Sequence, residues 1–455
     1  MITLSIIQKS QLKWGKRLDA EYYQPEYLAF ERRLYTTGLY KTWESITGKF
    51  ITGPFGSEFN VENYIPNGKY RYVRGKDVKD FFLQHDDNVY LPEKDFERLK
   101  KYALQDGDIL ISVVGTPGYA TIVDSSILPA IFSCKSTAFR TNSIDPYYFI
   151  AYLNSKYGQA FLQRSIRGAL QTGLNIDDLR NLPVFIPITQ KQKVISQIVK
   201  DAKNAIEASD DFYLQAENLL LAELGLTNFE KDQSLSWDTN LSDIKTVHRM
   251  DAEYFQPKYE KLISEIKKQK AERLDNLVII KKGFEPGSDA YQEQGRLFIR
   301  VSSLSRNDIE NQDQKYLSEA LYQELKKNFE PKVGEILLTK DATPGIAYYI
   351  KEPVVGIVSG GILRLKLKEK IDPEYLTLCI NSIIGKMQVE RDAGGSIIIH
   401  WRPEQIKNLE VPILPKAIQQ KIAGLVQRSH EARQKSKELL EQAKHKVEEL
   451  IENQK

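Results

Sequence analysis

The chain repeats itself. Arg17-Leu18-Asp19-Ala20-Glu21-Tyr22-Tyr23-Gln24-Pro25 returns as Arg249-Met250-Asp251-Ala252-Glu253-Tyr254-Phe255-Gln256-Pro257. Gly107-Asp108-Ile109-Leu110-Ile111-Ser112, with Thr116-Pro117-Gly118 after it, returns as Gly334-Glu335-Ile336-Leu337-Leu338-Thr339 with Thr343-Pro344-Gly345. Asp145-Pro146 and Asn154-Ser155 return as Asp372-Pro373 and Asn381-Ser382; Asn181-Leu182-Pro183-Val184-Phe185-Ile186-Pro187 returns as Asn408-Leu409-Glu410-Val411-Pro412-Ile413-Leu414. The matches keep one order at a spacing of roughly 230 residues, far beyond solenoid periods, so they mark a duplicated domain. A length of 455 residues agrees, because single cores seldom grow that large.

Between the landmarks the halves diverge. Gly53-Pro54-Phe55-Gly56-Ser57 only loosely resembles Gly283-Phe284-Glu285-Pro286-Gly287-Ser288, and Tyr72-Val73-Arg74-Gly75 faces Phe298-Ile299-Arg300-Val301. Two readers of different targets need a shared frame with altered loops, although drift after duplication leaves the same picture.

Each half reads as a mixed α+β domain followed by a long helix. Apolar alternation predicts short strands at Tyr70–Val73, Ile109–Val113, Ala138–Arg140 and Val184–Ile186. Helical periodicity follows Asp145-Pro146 through Phe149, Tyr152, Leu153 and Phe161. The first half ends in a stripe of Ile198, Ala202, Ala205, Ser209, Phe212, Ala216 and Leu219. The second ends in Leu425, Ser429, Ala432, Ser436, Leu439, Ala443 and Leu450. Steps of four and three make a narrow seam, which predicts that the two helices pair as an antiparallel coiled coil rather than docking separately. The expected layout is a domain at 1–188, a spacer helix at 189–226, a second domain at 227–414 and a second spacer helix at 415–455, related by a pseudo-twofold. A helix of about 35 residues is about 52 Å long. Readers held apart by such a spacer would touch DNA one or more turns apart, a turn being about 34 Å.

The residues offer little chemistry. There is no G-x-x-x-x-G-K-[ST] loop, G-x-G-x-x-G turn, G-x-S-x-G elbow, C-x-x-C pair or H-x-x-x-H spacing, and no Pro-Pro-Tyr or Pro-Pro-Phe segment of an amino-methyltransferase. His430 and His445, on the last helix, are expected to face solvent. Cys134 and Cys379 are expected to be buried thiols of a reducing compartment. The opening Met1-Ile2-Thr3-Leu4-Ser5-Ile6-Ile7 does not read as a signal peptide, and no run approaches the roughly 18 apolar residues of a membrane span, so a cytoplasmic place is expected.

Net charge is only +3, from 64 Lys and Arg against 61 Asp and Glu, so a nucleic-acid reader with this composition must gather its cations on one face or borrow them from partners. Polar and basic residues do gather where loops are expected. Ser57 is one; Arg71, Arg74, Lys76 and Lys79 interleave with Tyr70, Tyr72 and Phe81; Arg164, Arg167, Gln171, Thr172 and Asn175 follow. The second half offers Lys282, Ser288, Arg296, Arg300, Ser302, Ser303, Arg306, Lys340 and Asp341, then Arg391, Ser396, His400, Trp401 and Arg402. Arg, Lys, Asn, Gln and Ser suit phosphates and major-groove base edges, and each taken singly also fits a solvated surface.

In this duplicated frame the chain resembles the specificity subunit of type I restriction-modification enzymes. The resemblance rests on Gly53-Pro54-Phe55-Gly56-Ser57, Gly107-Asp108-Ile109-Leu110-Ile111-Ser112, Thr116-Pro117-Gly118, and Asn175-Ile176-Asp177-Asp178-Leu179 leading to Leu182-Pro183-Val184 and a Gln- and Lys-rich helix. It spans nearly the whole chain. The second copy departs at Ser396-Ile397-Ile398-Ile399-His400, which replaces the polar stretch around Thr172-Gly173-Leu174-Asn175. The resemblance implies two target-recognition domains reading a split double-stranded DNA sequence, with no metal or cofactor in this chain. It also implies two methyltransferase subunits that use S-adenosylmethionine on adenine N6, and restriction subunits that use ATP and Mg. Two other readings are a scaffold that binds only proteins and a DNA-modifying enzyme with an unfamiliar site; turnover by the isolated chain would mark the latter.

Overall fold

The computed structural model describes residues 4–9, 12, 17–85, 87–141, 143–168, 172–229, 236–310, 314–368, 371–395 and 399–453. They divide into two compact units. Unit 1 comprises 1–207 with 433–455, and unit 2 comprises 208–432.

Unit 1 holds strands β1 (Tyr40–Thr42), β2 (Thr47–Thr52), β3 (Tyr70–Val73), β4 (Phe81–Phe82), β5 (Val89–Leu91), β6 (Ile109–Ser112), β7 (Ala120–Ile122), β8 (Ala130–Phe132), β9 (Ser136–Thr141) and β10 (Pro183–Phe185). They form sheets of order β2-β9-β6-β7-β4, β5-β3-β8 and β1-β10. Unit 2 holds β11 (Ala271–Arg273), β12 (Val278–Lys282), β13 (Arg296–Ile299), β14 (Lys315–Leu317), β15 (Glu335–Thr339), β16 (Ala347–Tyr349), β17 (Gly356–Val358), β18 (Ile362–Leu367) and β19 (Glu410–Pro412). Their orders are β12-β18-β15-β16, β14-β13-β17 and β11-β19. Apart from β4 the two sets correspond strand for strand. Even the lone parallel pairing inside each three-stranded sheet recurs, β3 with β8 and β13 with β17.

The repeated motifs are the joints of this frame. Asp145 and Asp372 cap helices Pro146–Asn154 and Pro373–Asn381, each accepting two backbone N–H bonds while proline fills the first turn. Asn154 Nδ2 donates to Ala120 O at 3.2 Å and Asn381 Nδ2 to Ala347 O at 2.8 Å. The Tyr148 hydroxyl donates to Phe185 O and that of Tyr375 to Pro412 O, at 2.9 and 2.8 Å. Arg140 grips Asp108, and Arg364 grips Glu335, through two bonds each. Asp108, Asn154, Glu335, Arg364 and Asn381 are buried, and pairing is what makes their burial tolerable.

The long helices are Thr189–Glu223 and Lys416–Glu452. Ile195, Ala202, Ser209 and Ala216 on one, and Ile422, Ser429, Ser436 and Ala443 on the other, are fully buried at a strict seven-residue spacing. In unit 1 the Ser436 hydroxyl donates to Ala202 O at 2.8 Å, and in unit 2 Ser209 and Ser429 meet at 3.0 Å. Residue numbers rise along one helix as they fall along the other, so the pairing is antiparallel. Ile198, Phe212 and Leu219 flank the seam instead of filling it; Val199, Tyr213 and Leu220 are the buried neighbours, because each helix also packs onto the body of its unit. His430 departs from its expected exposure: it is mostly covered and lies 3.5 Å from the buried Glu374 carboxylate, which it and Lys351 hold below its ordinary pKa against the effect of burial. Cys379 is buried, which pushes its thiol up to about 12, whereas Cys134 is only half-buried.

Candidate nucleic-acid interface

Register brings one set of loops to one end of each large sheet. Thr52 pairs with Thr137, Thr137 with Ile111, and Ile111 with Ala120. The chain leaving β2 and β6 and entering β7 and β9 therefore turns at the same end. The segment before helix Ile176–Arg180 is laced to it: Gly173 bridges both Val114 and Arg167, and Leu174 N donates to Val113 O at 2.9 Å. Thr52, Val113, Thr137, Arg167, Gly173 and Asn175 line an open depression of about 550 Å³ there. Unit 2 repeats the lacing. Lys282 and Leu338 both pair with Leu363, His400 bridges Asp341 and Gly394, and Trp401 N donates to Lys340 O at 2.8 Å. A glycine pins each loop after the first sheet strand. A Cβ on Gly53 would lie 2.5 Å from Ser133 O, and one on Gly283 would lie 1.9 Å from Ser359 O, so no side chain fits at either place.

The candidate residues of unit 1 separate into surface and frame. Ser57, Thr172 and Asn175 are exposed, and Asn175 also accepts Asp177 N at 3.0 Å to cap the next helix. Lys76 is exposed and pairs with Asp87 at 2.8 Å, which holds that carboxyl below its ordinary pKa. Arg74 is mostly covered by Asp77 and Asp87. Arg167 is partly exposed and forks onto Asp178. Arg71 and Arg164 belong to the interior, each only 3% exposed, and present nothing to a duplex. Arg71 donates to Gln84 O at 3.0 Å and meets His85, with burial lowering its pKa; Arg164 pairs with Glu31 at 3.0 Å and lies over the Tyr22 ring. Gln171 lies outside the described residues.

In unit 2, Lys282, Ser302 and Arg402 are exposed, while Ser396 and the side chain of Ser288 lie outside what is described. Arg300 is half-buried where it precedes the turn Val301–Ser303. Arg306 lies over the Tyr213 ring at 4.7 Å, and Arg391 pairs with Asp392 and lies over Tyr254. Lys340 pairs with Asp341, whose other oxygen is 2.7 Å from His400 Nδ1. Arg296 pairs with Glu319 beside β14, and Trp401 is fully buried, a core residue and not a contact. The sequence expectation thus counted as one surface what the fold divides, because arginine serves as readily to neutralise buried carboxylates as to meet phosphates.

Lys135 was not among the sequence candidates. It stands exposed in the loop opening β9, and its carbonyl accepts Val113 N at 2.8 Å. Its place in unit 2, accepting Lys340 N, is taken by Gly361. The lacing makes further positions comparable. Val114 answers to Asp341, Gly173 to His400 and Arg167 to Gly394; in the matching short turns Gly75–Asp77 and Val301–Ser303, Lys76 answers to Ser302. The backbone is retained while the outward chemistry changes at each position. Aligning the two halves on their glycines and prolines is the signal that finds Lys135. Among the described residues no group of His, Cys, Asp and Glu could hold a metal ion, and no helix is long and apolar enough to cross a membrane.

Comparison with solved structures returns similar chains at low identity. The type I restriction-modification S subunit from M. genitalium is 14% identical at a TM-score of 0.40, over 91% of this chain and 95% of that one. The HsdS subunit from Thermoanaerobacter tengcongensis is 13% identical at 0.29, over 91% and 97%. A structure describing complex assembly and conformational transition of a type I R-M system is 12% identical at 0.30, over 91% and 98%. The family assignment rests on sequence: the model of the type I restriction modification DNA specificity domain matches residues 54–211 and again 263–444, most of the chain, with one segment centred on each half of the repeat. The chain belongs to the family of type I restriction-modification DNA specificity proteins.

Proposed function

We propose that this chain is the non-catalytic reader of a type I restriction-modification complex, with residues 1–188 recognising one half of a split DNA target and 227–414 the other. The helices at 189–226 and 415–455 set the length of the unread spacer and dock two methyltransferase subunits. Those partners bind S-adenosylmethionine and methylate adenine at N6; restriction subunits, where present, use ATP and Mg to translocate and cut. The complex works in the cytoplasm.

One observation carries this reading: a single loop scaffold, built twice, offers different hydrogen-bonding groups at equivalent places. Base identity is read by donors and acceptors in the major groove, where Arg or Lys suits guanine, Asn suits adenine and an acidic group suits the cytosine amino group. Lys76 against Ser302, and Asn175 against Arg402, are substitutions that change a preferred base without moving the frame. Phosphate contacts from Lys135 and its neighbours would add affinity that carries no sequence information.

Methylated adenines are to be mapped in a host expressing the chain with its methyltransferase partners. A split motif with a fixed gap is the expected result, and exchanging residues 1–188 for those of a relative should replace one half-motif only. Exchange of both half-motifs, or methylation without sequence preference, would refute the reading.

A further inference from the structure

One exposed side chain at the loop end of unit 1 has no structural reason to be there. Phe55 is 68% exposed, although both flanks of its turn are anchored. Pro54 is buried, and Gly53 is clamped beneath Ser133 O. Phe59 is buried with its ring 5.0 Å from that of Tyr72. Glu58 N closes the turn onto Phe55 O at 2.8 Å, and Arg98 holds Glu58 O at 2.6 Å. The turn is thus made by its neighbours and would form around any residue at 55. An aromatic ring left in water there forgoes the burial that its surface could gain. In unit 2 the residue after the clamped glycine, Phe284, answers to Pro54 and packs with its ring 5.3 Å from Phe329, while the place of Phe55 is taken by the exposed carboxylate Glu285.

The surroundings of Phe55 favour nucleic acid over protein. Gly53 touches the loop Ser133–Lys135, whose exposed Lys135 lies against Gly75, next to the exposed Lys76. An exposed ring two residues from the glycine that meets this cation-bearing loop, at the end of the sheet where the readout loops gather, matches the way apolar side chains enter a duplex between phosphate contacts. Resting on the function proposed above, the geometry points to Phe55 as a specificity-determining residue: its ring presses against the base stack of the half-site read by unit 1, and unit 2 makes no equivalent contact. Base steps that unstack easily, the pyrimidine–purine steps, are the favoured partners.

The test uses the complex assembled with its methyltransferase partners and duplexes carrying the mapped target, each base pair varied in turn. Phe55→Ala is expected to weaken binding about tenfold and to flatten discrimination at one or two adjacent base pairs of a single half-site. Discrimination in the other half-site and the salt dependence should stay unchanged, and Phe55→Trp should retain the preference. Val61→Ser, at the next exposed apolar position, serves as the control and should discriminate like the parent. Parental discrimination by Phe55→Ala at every position would overturn the inference. So would failure of that variant to assemble with its partners, which would mark the ring as a protein contact. A parent complex without any sequence preference would instead defeat the function on which the inference rests.

Discussion

Arg364 offers the sharpest test of the frame. Its guanidinium, 1% exposed, donates to both oxygens of Glu335 at 2.8 and 3.0 Å and to Asn328 O at 2.6 Å. The Glu335 side chain is 4% exposed and also accepts Lys332 N at 3.0 Å. Arg364→Met fills the space but leaves a carboxylate in the interior without its cation, which costs about 3–5 kcal/mol. Burial raises the Glu335 pKa, but Arg364 and the Lys332 N–H more than offset it, so the carboxyl titrates below its ordinary value. Its stabilising contribution is therefore present above the unfolded-chain value of about 4.3 and is lost as pH falls through the lower folded value. In the variant, burial acts without the guanidinium, the carboxyl takes up its proton more readily, and the deficit relative to the parent should narrow as pH falls from neutral toward the ordinary carboxylate range. Hydrogen exchange of the β15 and β18 amides reads the stability of unit 2 directly. Arg364→Met with Glu335→Gln should recover much of the loss, because no buried charge remains. A single variant as protected as the parent, or a double variant no better than the single, would refute the reasoning.

Three further outcomes follow from the same structure. Gly283→Ala drives a methyl into Ser359 O and should erase recognition of one half-site while the other survives, read by binding to half-substituted duplexes. Ser209→Leu overfills the seam at its contact with Ser429 and should cost about 1–3 kcal/mol in thermal unfolding, whereas Ser209→Ala should be nearly neutral. Adding four residues in register to both long helices lengthens each by about 6 Å, so the mapped spacer should grow by one or two base pairs with both half-motifs unchanged; an unaltered gap would defeat the spacer idea.

The frame was legible because its joints use residues with few substitutes. Asp-Pro at a helix start and Asn-Ser at a helix junction each solve a local hydrogen-bonding problem, so they recur in both halves and fix the register of everything between. Strand Tyr70–Val73 was read to the residue, and Ile109–Val113 ran one residue past its end. The seam was legible as a spacing but not in phase, since the small residues Ala202, Ser209, Ser436 and Ala443 are buried while Phe212 and Leu439 only flank them. The site was the least legible part. Nothing in the local pattern tells Arg71, which neutralises an interior, from Lys76, which faces water four residues after Tyr72. That difference depends on carboxylates brought in by distant segments, as Glu31 is brought to Arg164.

The buried seam residues Ala443, Val447 and Ile451 lie in the same apolar cluster as Trp43, Phe149, Ile195 and Val199. Unit 1 is therefore built from two stretches that flank unit 2 in the sequence, whereas unit 2 is one uninterrupted stretch. On the ribosome the order of completion is the reverse of the order of synthesis: the second unit can close on its own residues while the first waits for helix Lys416–Glu452 to emerge. Until then the cluster around Ile195 and Val199 lacks Ala443, Val447 and Ile451, and the half that was translated first is the last to complete its core.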